Sequence, residues 1–198
     1  MPQVLEPIEE LRETAPPRLH LTQSHCATLE AAGLLTQRYE LIDGEIISKM
    51  GQNPPHATAT GLLSDWLIDL FGSRFVRVQQ NSDVGSADPE HNRPEPDVAV
   101  TREARRAYAQ QHPGPDDILL IAEVADTTLR FDRSKKAALY AAAGYQEFWL
   151  VDVNSRQLLV HRDPSPEGYA EIIAYREDEM VATLAHPEVS VMVSELLP

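Results

Sequence analysis

An α/β fold is what this sequence predicts, and three observations predict it. Short β-prone runs alternate with helical periodicities along most of the chain. An Asp-Gly pair, Asp43-Gly44, separates two strand-like runs near the N-terminus. Two later strand-like runs, around Asp97 and Glu123, each hold one carboxylate among apolar neighbours. Helices interleaved with strands in this way cover a sheet, so the class is α/β or α+β.

The first 18 residues are rich in Pro and Glu and read as a flexible arm ahead of one domain over 19–198. Residues 22–34 form a short helix ending near Gly33. In the run Arg38-Tyr39-Glu40-Leu41-Ile42-Asp43-Gly44-Glu45-Ile46-Ile47, the two turn positions require positive φ. Asp-Gly supplies it, so this is a hairpin with Glu40 opposite Ile47. Residues 57–71 give the clearest helix, with Ala59, Leu62, Leu63, Trp66, Leu67 and Leu70 on one stripe and Ser64, Asp65 and Asp69 opposite.

A strand over 75–84 follows, then a polar loop over 86–95, the strand 96–100 that opens with Asp97, and a helix over roughly 102–110. A Pro-Gly break at 113–115 precedes the strand bearing Glu123. A helix over 133–143 stops at Gly144. Strands over 147–153 and 157–162 are joined by a turn at Asn154-Ser155, and strands over 169–175 and 189–193 complete the order. No internal repeat or domain linker interrupts it.

Composition narrows the function. At 198 residues and 42% hydrophobic content the chain can bury one substantial core. No stretch is long and apolar enough to cross a bilayer, and the N-terminus lacks a signal-peptide pattern, so the cytoplasm is the simplest location. Cys26 is the only cysteine, which excludes an intrachain disulfide and a Cys-rich zinc site. The remaining histidines besides His56 show no paired metal-ligand spacing. Elbow, phosphate-loop and dinucleotide motifs are all missing from the sequence. The net charge of −14 argues against coating of DNA by the whole surface, but leaves room for local basic patches. Arg102, Arg105 and Arg106 would share a helix face. Arg130, Arg133, Lys135 and Lys136 cluster beside the two strand carboxylates.

Those carboxylates carry the chemistry. A carboxylate flanked by apolar residues in a strand is costly to bury unless something pairs with it. Two of them can hold Mg²⁺, a hard cation with a preference for oxygen, and a nearby ammonium can orient water or neutralise a phosphate. Asp97 and Glu123 supply the acids and Lys136 the ammonium; the chain has only three lysines, and Lys135 and Lys136 are two of them. This minimum set suits phosphodiester hydrolysis. Tyr140 and Trp149 read as core packing.

Pro96-Asp97 followed by Glu123-Val124-Ala125 resembles the PD-(D/E)XK nuclease superfamily pattern. More specific is the run from Asp132-Arg133-Ser134-Lys135-Lys136 through Gly144 to Glu147-Phe148-Trp149-Leu150-Val151-Asp152. With Tyr39 to Glu45 and His56, it resembles the Uma-two family of restriction endonucleases over residues 22–197. The resemblance implies a restriction-endonuclease-like mixed β-sheet flanked by helices with an N-terminal β-hairpin. It also implies a divalent metal, Mg²⁺ with Mn²⁺ able to substitute, and a nucleic-acid substrate. The third motif letter is Ala125 where the superfamily has lysine, so the resemblance moves that role to Lys136. Asp126, where such families more typically carry a small hydroxyl residue, adds negative charge near the site.

Several alternatives stay open. Glu123 also suits a structural ion pair with Arg130 or Lys136. Glu40 is either an edge-strand charge or a third acid at the metal, and His56 either an ordinary helix-entry histidine or a group assisting proton transfer or substrate binding. Arg133 and Lys135 are the expected substrate-binding cations, or solvated helix positions. The functional expectation is a Mg²⁺-dependent endonuclease hydrolysing phosphodiester bonds in DNA. It would be a homodimer, because cutting both strands takes two sites. The competing expectation is a non-catalytic module of the same fold that binds nucleic acid or, given the acidic surface, a protein partner. A third is an acidic metal enzyme acting on a small phosphorylated substrate.

Overall fold

The computed structural model describes residues 18–49, 51 and 53–198; the rest of the expected N-terminal arm lies outside them. In chain order the elements are α1 (Gln23–Ala31), β1 (Tyr39–Ile42), β2 (Glu45–Ser48), α2 (Pro54–Phe71), β3 (Val76–Val78), β4 (Val98–Thr101) and β5 (Ile118–Ala125). They continue with α3 (Leu129–Phe131), a π-helical turn (Asp132–Lys136), α4 (Ala137–Ala143), β6 (Glu147–Asp152), β7 (Gln157–Ser165), β8 (Gly168–Arg176), β9 (Met180–Ala182) and β10 (Ser190–Met192). Six strands form one mixed sheet in the order β3-β4-β5-β6-β7-β8. Only the β5–β6 pair is parallel, joined by the α3–α4 crossover.

Two apolar layers sandwich this sheet. On one face α2 contributes Ala59, Leu63 and Leu67, packed over Val98, Val100, Leu120, Ala122, Val124 and Trp149. Trp66 stacks on Trp149 with ring centres 5.8 Å apart. On the other face α4 sets Ala137 and Tyr140 against Ala99, Ile121, Ala125, Phe148 and Leu150. The alternation along β5 follows from strand geometry, successive side chains pointing to opposite faces.

The hairpin forms as its turn chemistry dictates. Asp43 and Gly44 have φ of 52° and 70°, and Glu40 pairs with Ile47. Gly44 is required twice over, since a Cβ there would lie 2.5 Å from the His20 side chain. Helix α2 starts earlier than its periodicity suggests. Asn53 caps it by accepting from the His56 N–H, and Pro54 and Pro55 occupy its first turn, where no amide is needed. Ser64, expected on the solvent side, is buried and donates to the Thr60 carbonyl.

Other expectations are corrected. The strand over 75–84 shortens to Val76–Val78, because Gln79 turns to φ 51° and ends the ladder. The helix over 102–110 is only a 3₁₀ turn, Arg105–Tyr108, which has no side-chain cap. Its arginines do not form a common face: Arg102 donates to the Asp116 carbonyl, and Arg105 to those of Ser73 and Val76. The helix over 133–143 divides into a π-helical turn and α4, with Gly144 in the left-handed conformation as its stop. The short ribbon partner β9 was not expected at all; it pairs with β10. No helix among the described residues is long and apolar enough to cross a membrane.

Candidate active site

The register of the central strands builds the site. Val98 of β4 pairs with Ala122 of β5 in antiparallel fashion, so the next step along the ladder sets Asp97 across from Glu123. Directly opposed residues of such a pair share a sheet face, with Cβ atoms about 4.5–5.5 Å apart. The Val124 N–H donates to Asp97 Oδ2 at 2.9 Å, which fixes the Asp97 carboxylate against β5. Both acids are buried.

The crossover helix delivers the cation. The Lys136 ammonium lies 2.8 Å from Glu123 Oε1, 3.0 Å from Glu40 Oε2 and 3.8 Å from Asp132 Oδ1. Tyr140, one turn further on, donates to the same Glu123 oxygen at 2.7 Å. Tyr140 is therefore core packing in its ring and a site residue at its hydroxyl. From the hairpin, Glu40 Oε1 accepts the Glu95 N–H at 2.7 Å. From the start of α2, His56 Nε2 reaches 3.2 Å from Asp97 Oδ2, while its Nδ1 is 3.3 Å from the Thr60 hydroxyl.

These groups surround a cavity of about 990 Å³, lined by Glu40, His56, Asp97, Glu123 and Lys136 together with Lys49, Asp126, Asp132 and Arg38. Five carboxyl groups there face three permanent cations, so acids outnumber bases. Burial and that crowding govern the titration. Burial, added to by Asp97 and Glu40, pushes Glu123 up to about 8 in spite of the attraction of Lys136. Lys136 shows the opposite balance: burial disfavours its charge, but three carboxylates outweigh burial and hold the ammonium well above the lysine range. Burial also opposes the charge on Asp97, yet the His56 contact, Lys49 and the Val124 N–H keep its carboxyl far below the usual range.

Of the expected substrate-binding residues, neither lines the cavity. Arg133 is exposed on the π-helical turn. Lys135 is exposed and paired with Asp43 of the hairpin turn at 2.9 Å. Sequence reasoning missed Lys49, and it did not foresee the partners that Asp132 and Asp126 find. Lys49, at the exit of β2, has its ammonium 3.5 Å from Glu40 Oε2. Asp132 is buried, and its partner Thr128 donates to it. Asp126 holds the rim together, accepting from Asn53 and Asn154. The i, i+4 spacing of Asp132 and Lys136 was a usable signal; Lys49 and the Asn53–Asp126–Asn154 link had none, because loops set those contacts.

The donor chemistry suits a hard divalent cation. Among the described residues, Glu123 Oε2 accepts no hydrogen bond, and Asp97 Oδ1 has one long contact, 3.4 Å from Gln79. No group of three His, Cys, Asp or Glu side chains gathers in metal-holding geometry among the described residues. The free oxygens of Asp97 and Glu123 are the kind of donor pair that commonly holds Mg²⁺, with water and phosphate completing its shell.

The family model for Uma2, described as "Putative restriction endonuclease", matches residues 32–194. The chain belongs to this family. A solved structure described as a putative nuclease belonging to DUF820, from Anabaena variabilis ATCC 29413, aligns with a TM-score of 0.63. The alignment covers 85% of this chain and 96% of that one at 16% identity, a likeness that shows the fold. The six-stranded mixed sheet flanked by helices is thus the restriction-endonuclease-like fold, and membership of a family described as a putative restriction endonuclease supports a nuclease. No curated protein matches.

Proposed function

We propose that the protein is a Mg²⁺-dependent endonuclease that hydrolyses phosphodiester bonds in DNA. The observation that carries this reading is the β4–β5 register, which sets Asp97 across from Glu123 at a large, acid-rich cavity. Asp97 and Glu123 would hold the ion, with Mn²⁺ able to replace Mg²⁺. When bound, a divalent ion supplies Lewis-acid charge at the scissile phosphate and acidifies a water molecule.

The chain's own groups do the rest. Lys136 and Tyr140 hold Glu123 through one oxygen, which leaves the other for the ion. The Val124 N–H holds Asp97 in the same way. Glu40 keeps Lys136 in place from the hairpin side. His56, already within reach of Asp97, is positioned to carry a proton at the cavity mouth. Arg133 and Lys135, exposed beside the cavity, would contact the DNA backbone outside the reacting centre. Cleavage of both strands calls for two such sites, supplied by a homodimer.

A non-catalytic role on the same fold is favoured by one observation: Glu123, Lys136, Tyr140 and Glu40 already satisfy one another, as a purely structural network would. Supercoiled-plasmid cleavage separates the two readings. The nuclease nicks plasmid in Mg²⁺ and in Mn²⁺, and Asp97→Ala and Glu123→Ala abolish nicking while the far-UV spectrum is retained. A wild-type chain that leaves plasmid intact in both ions would sink the proposal.

A further inference from the structure

We infer that Lys49, not Lys136, is the ammonium that meets the substrate phosphate, and that Lys136 is a positioning residue; this rests on the nuclease reading above. An ammonium has three N–H groups. Those of Lys136 face three carboxylates, of Glu123, Glu40 and Asp132, at 2.8, 3.0 and 3.8 Å, and its side chain is only 3% exposed. Turning it toward a phosphate would leave buried acids without their counter-ion, a strongly destabilising change. Lys136 is committed to holding the acids apart and oriented.

Lys49 differs at each of these points. Its side chain is 20% exposed and lines the same cavity. Its one ion-pair contact among the described residues is a loose 3.5 Å approach to Glu40 Oε2. That carboxylate is already served by Lys136 at 3.0 Å and by the Glu95 N–H at 2.7 Å, so Lys49 is a surplus charge at Glu40. The Lys49 N–H donates to the Arg38 carbonyl at 2.9 Å, which anchors the backbone where β2 ends and leaves the side chain to reach inward.

The other cations near the cavity are engaged elsewhere. Arg38 pairs with Glu95, and Lys135 with Asp43. Of the cations that line the cavity, Lys49 is therefore the one without a close carboxylate partner of its own among the described residues. In hydrolysis a water oxygen joins phosphorus, the bond from phosphorus to the departing sugar oxygen breaks, and a proton from the water passes to that oxygen. The anionic phosphate oxygens gain charge along this path, and Lys49, lining the cavity and partly exposed, would neutralise them.

The test compares the full-length wild type with Lys49→Ala, Lys49→Arg and Lys136→Met. Three readouts are taken: plasmid cleavage in Mg²⁺, affinity for a short DNA duplex across a salt series without divalent ion, and the thermal midpoint. Lys49→Ala is expected to keep the wild-type midpoint, cleave about 100-fold more slowly and lose about one unit of salt slope. Lys49→Arg should restore the slope. Lys136→Met should lower the midpoint by several degrees. A Lys49→Ala protein that cleaves and binds like an active wild type overturns the assignment and leaves the nuclease reading standing. A wild type that cleaves nothing overturns both.

Discussion

The two faces of the central sheet do different work with the same strands. Toward α2, strand β5 presents Leu120, Ala122 and Val124 to Leu63, Leu67 and Trp149, a face of hydrocarbon and aromatic rings. Toward α4 it presents Ile121, Ala125 and, between them, Glu123. Along β5 the face toward α2 holds only apolar side chains, which need no partner. The other keeps an acid buried only because Lys136 and Tyr140 arrive from the crossover helix to meet it. The contrast teaches that in this fold the site is part of the core, and that its charges are held by the same packing that holds the sheet.

Single substitutions sharpen the contrast. On the polar face, Lys136→Met strands the buried carboxylates of Glu123, Glu40 and Asp132. It should cost about 3–5 kcal/mol in urea unfolding; a loss below about 1 kcal/mol would show that the network is solvated. On the apolar face, Trp149→Ala removes the ring stacked on Trp66, with an expected loss of similar size, about 3–5 kcal/mol. The two differ in what rescues them. Replacing Trp149 by Phe should recover part of the loss, whereas no apolar residue at 136 should, unless the acids are changed as well.

Tyr140→Phe keeps the ring and deletes only the hydroxyl on Glu123. It should cost about 1.5–3 kcal/mol, the range for hydrogen bonds to charged groups. An unchanged midpoint would mean that Glu123 is held by Lys136 alone. The smallest effect belongs to the outside of the same helix. Lys135→Ala breaks an exposed pair with Asp43 and should change stability by less than about 1 kcal/mol.

A pH titration probes the aromatic layer beneath α4. His161 sits there between Phe148 and Tyr169, and burial lowers its pKa below the histidine value of 6.5. The unfolded chain then binds the proton more readily than the folded one. The His161 contribution is complete above that value and declines as pH falls through it toward the lowered folded pKa. Urea unfolding at several values between pH 7.5 and 5, with His161→Gln as the reference, should show the wild type losing more stability on acidification. Parallel curves would refute the buried, neutral histidine.

How much of this was legible in the sequence depends on the range of the interactions. The hairpin turn at Asp43-Gly44 was readable because two residues set its backbone, and the Ala59, Leu63, Leu67 stripe because helix periodicity is local. Gly144 announced the end of α4 for the same reason. Asp97, Glu123 and Lys136 stood out as charges in apolar or clustered settings, and the strand register brings the two acids together. The π-helical turn was not legible. Nothing in Asp132 to Lys136 marks a widened turn, which tertiary contacts to Glu40 and Glu123 accompany. Nor did the sequence distinguish Ser64 as buried, or Arg102 and Arg105 as bound to backbone carbonyls, since those partners lie 14 to 32 positions away or depend on helix orientation. Lys49 left no mark because it follows a strand on a polar stretch, and only the closure of the hairpin over the sheet brings it to the acids.

Divalent-ion binding tests the central claim most directly, since it reads the Asp97–Glu123 pair without DNA or turnover. In a calorimetric titration with Mn²⁺, the wild type is expected to bind and both Asp97→Asn and Glu123→Gln to lose that binding while remaining folded. Binding that persists unchanged in both variants would contradict the account, because it would put the ion somewhere other than between the two strands.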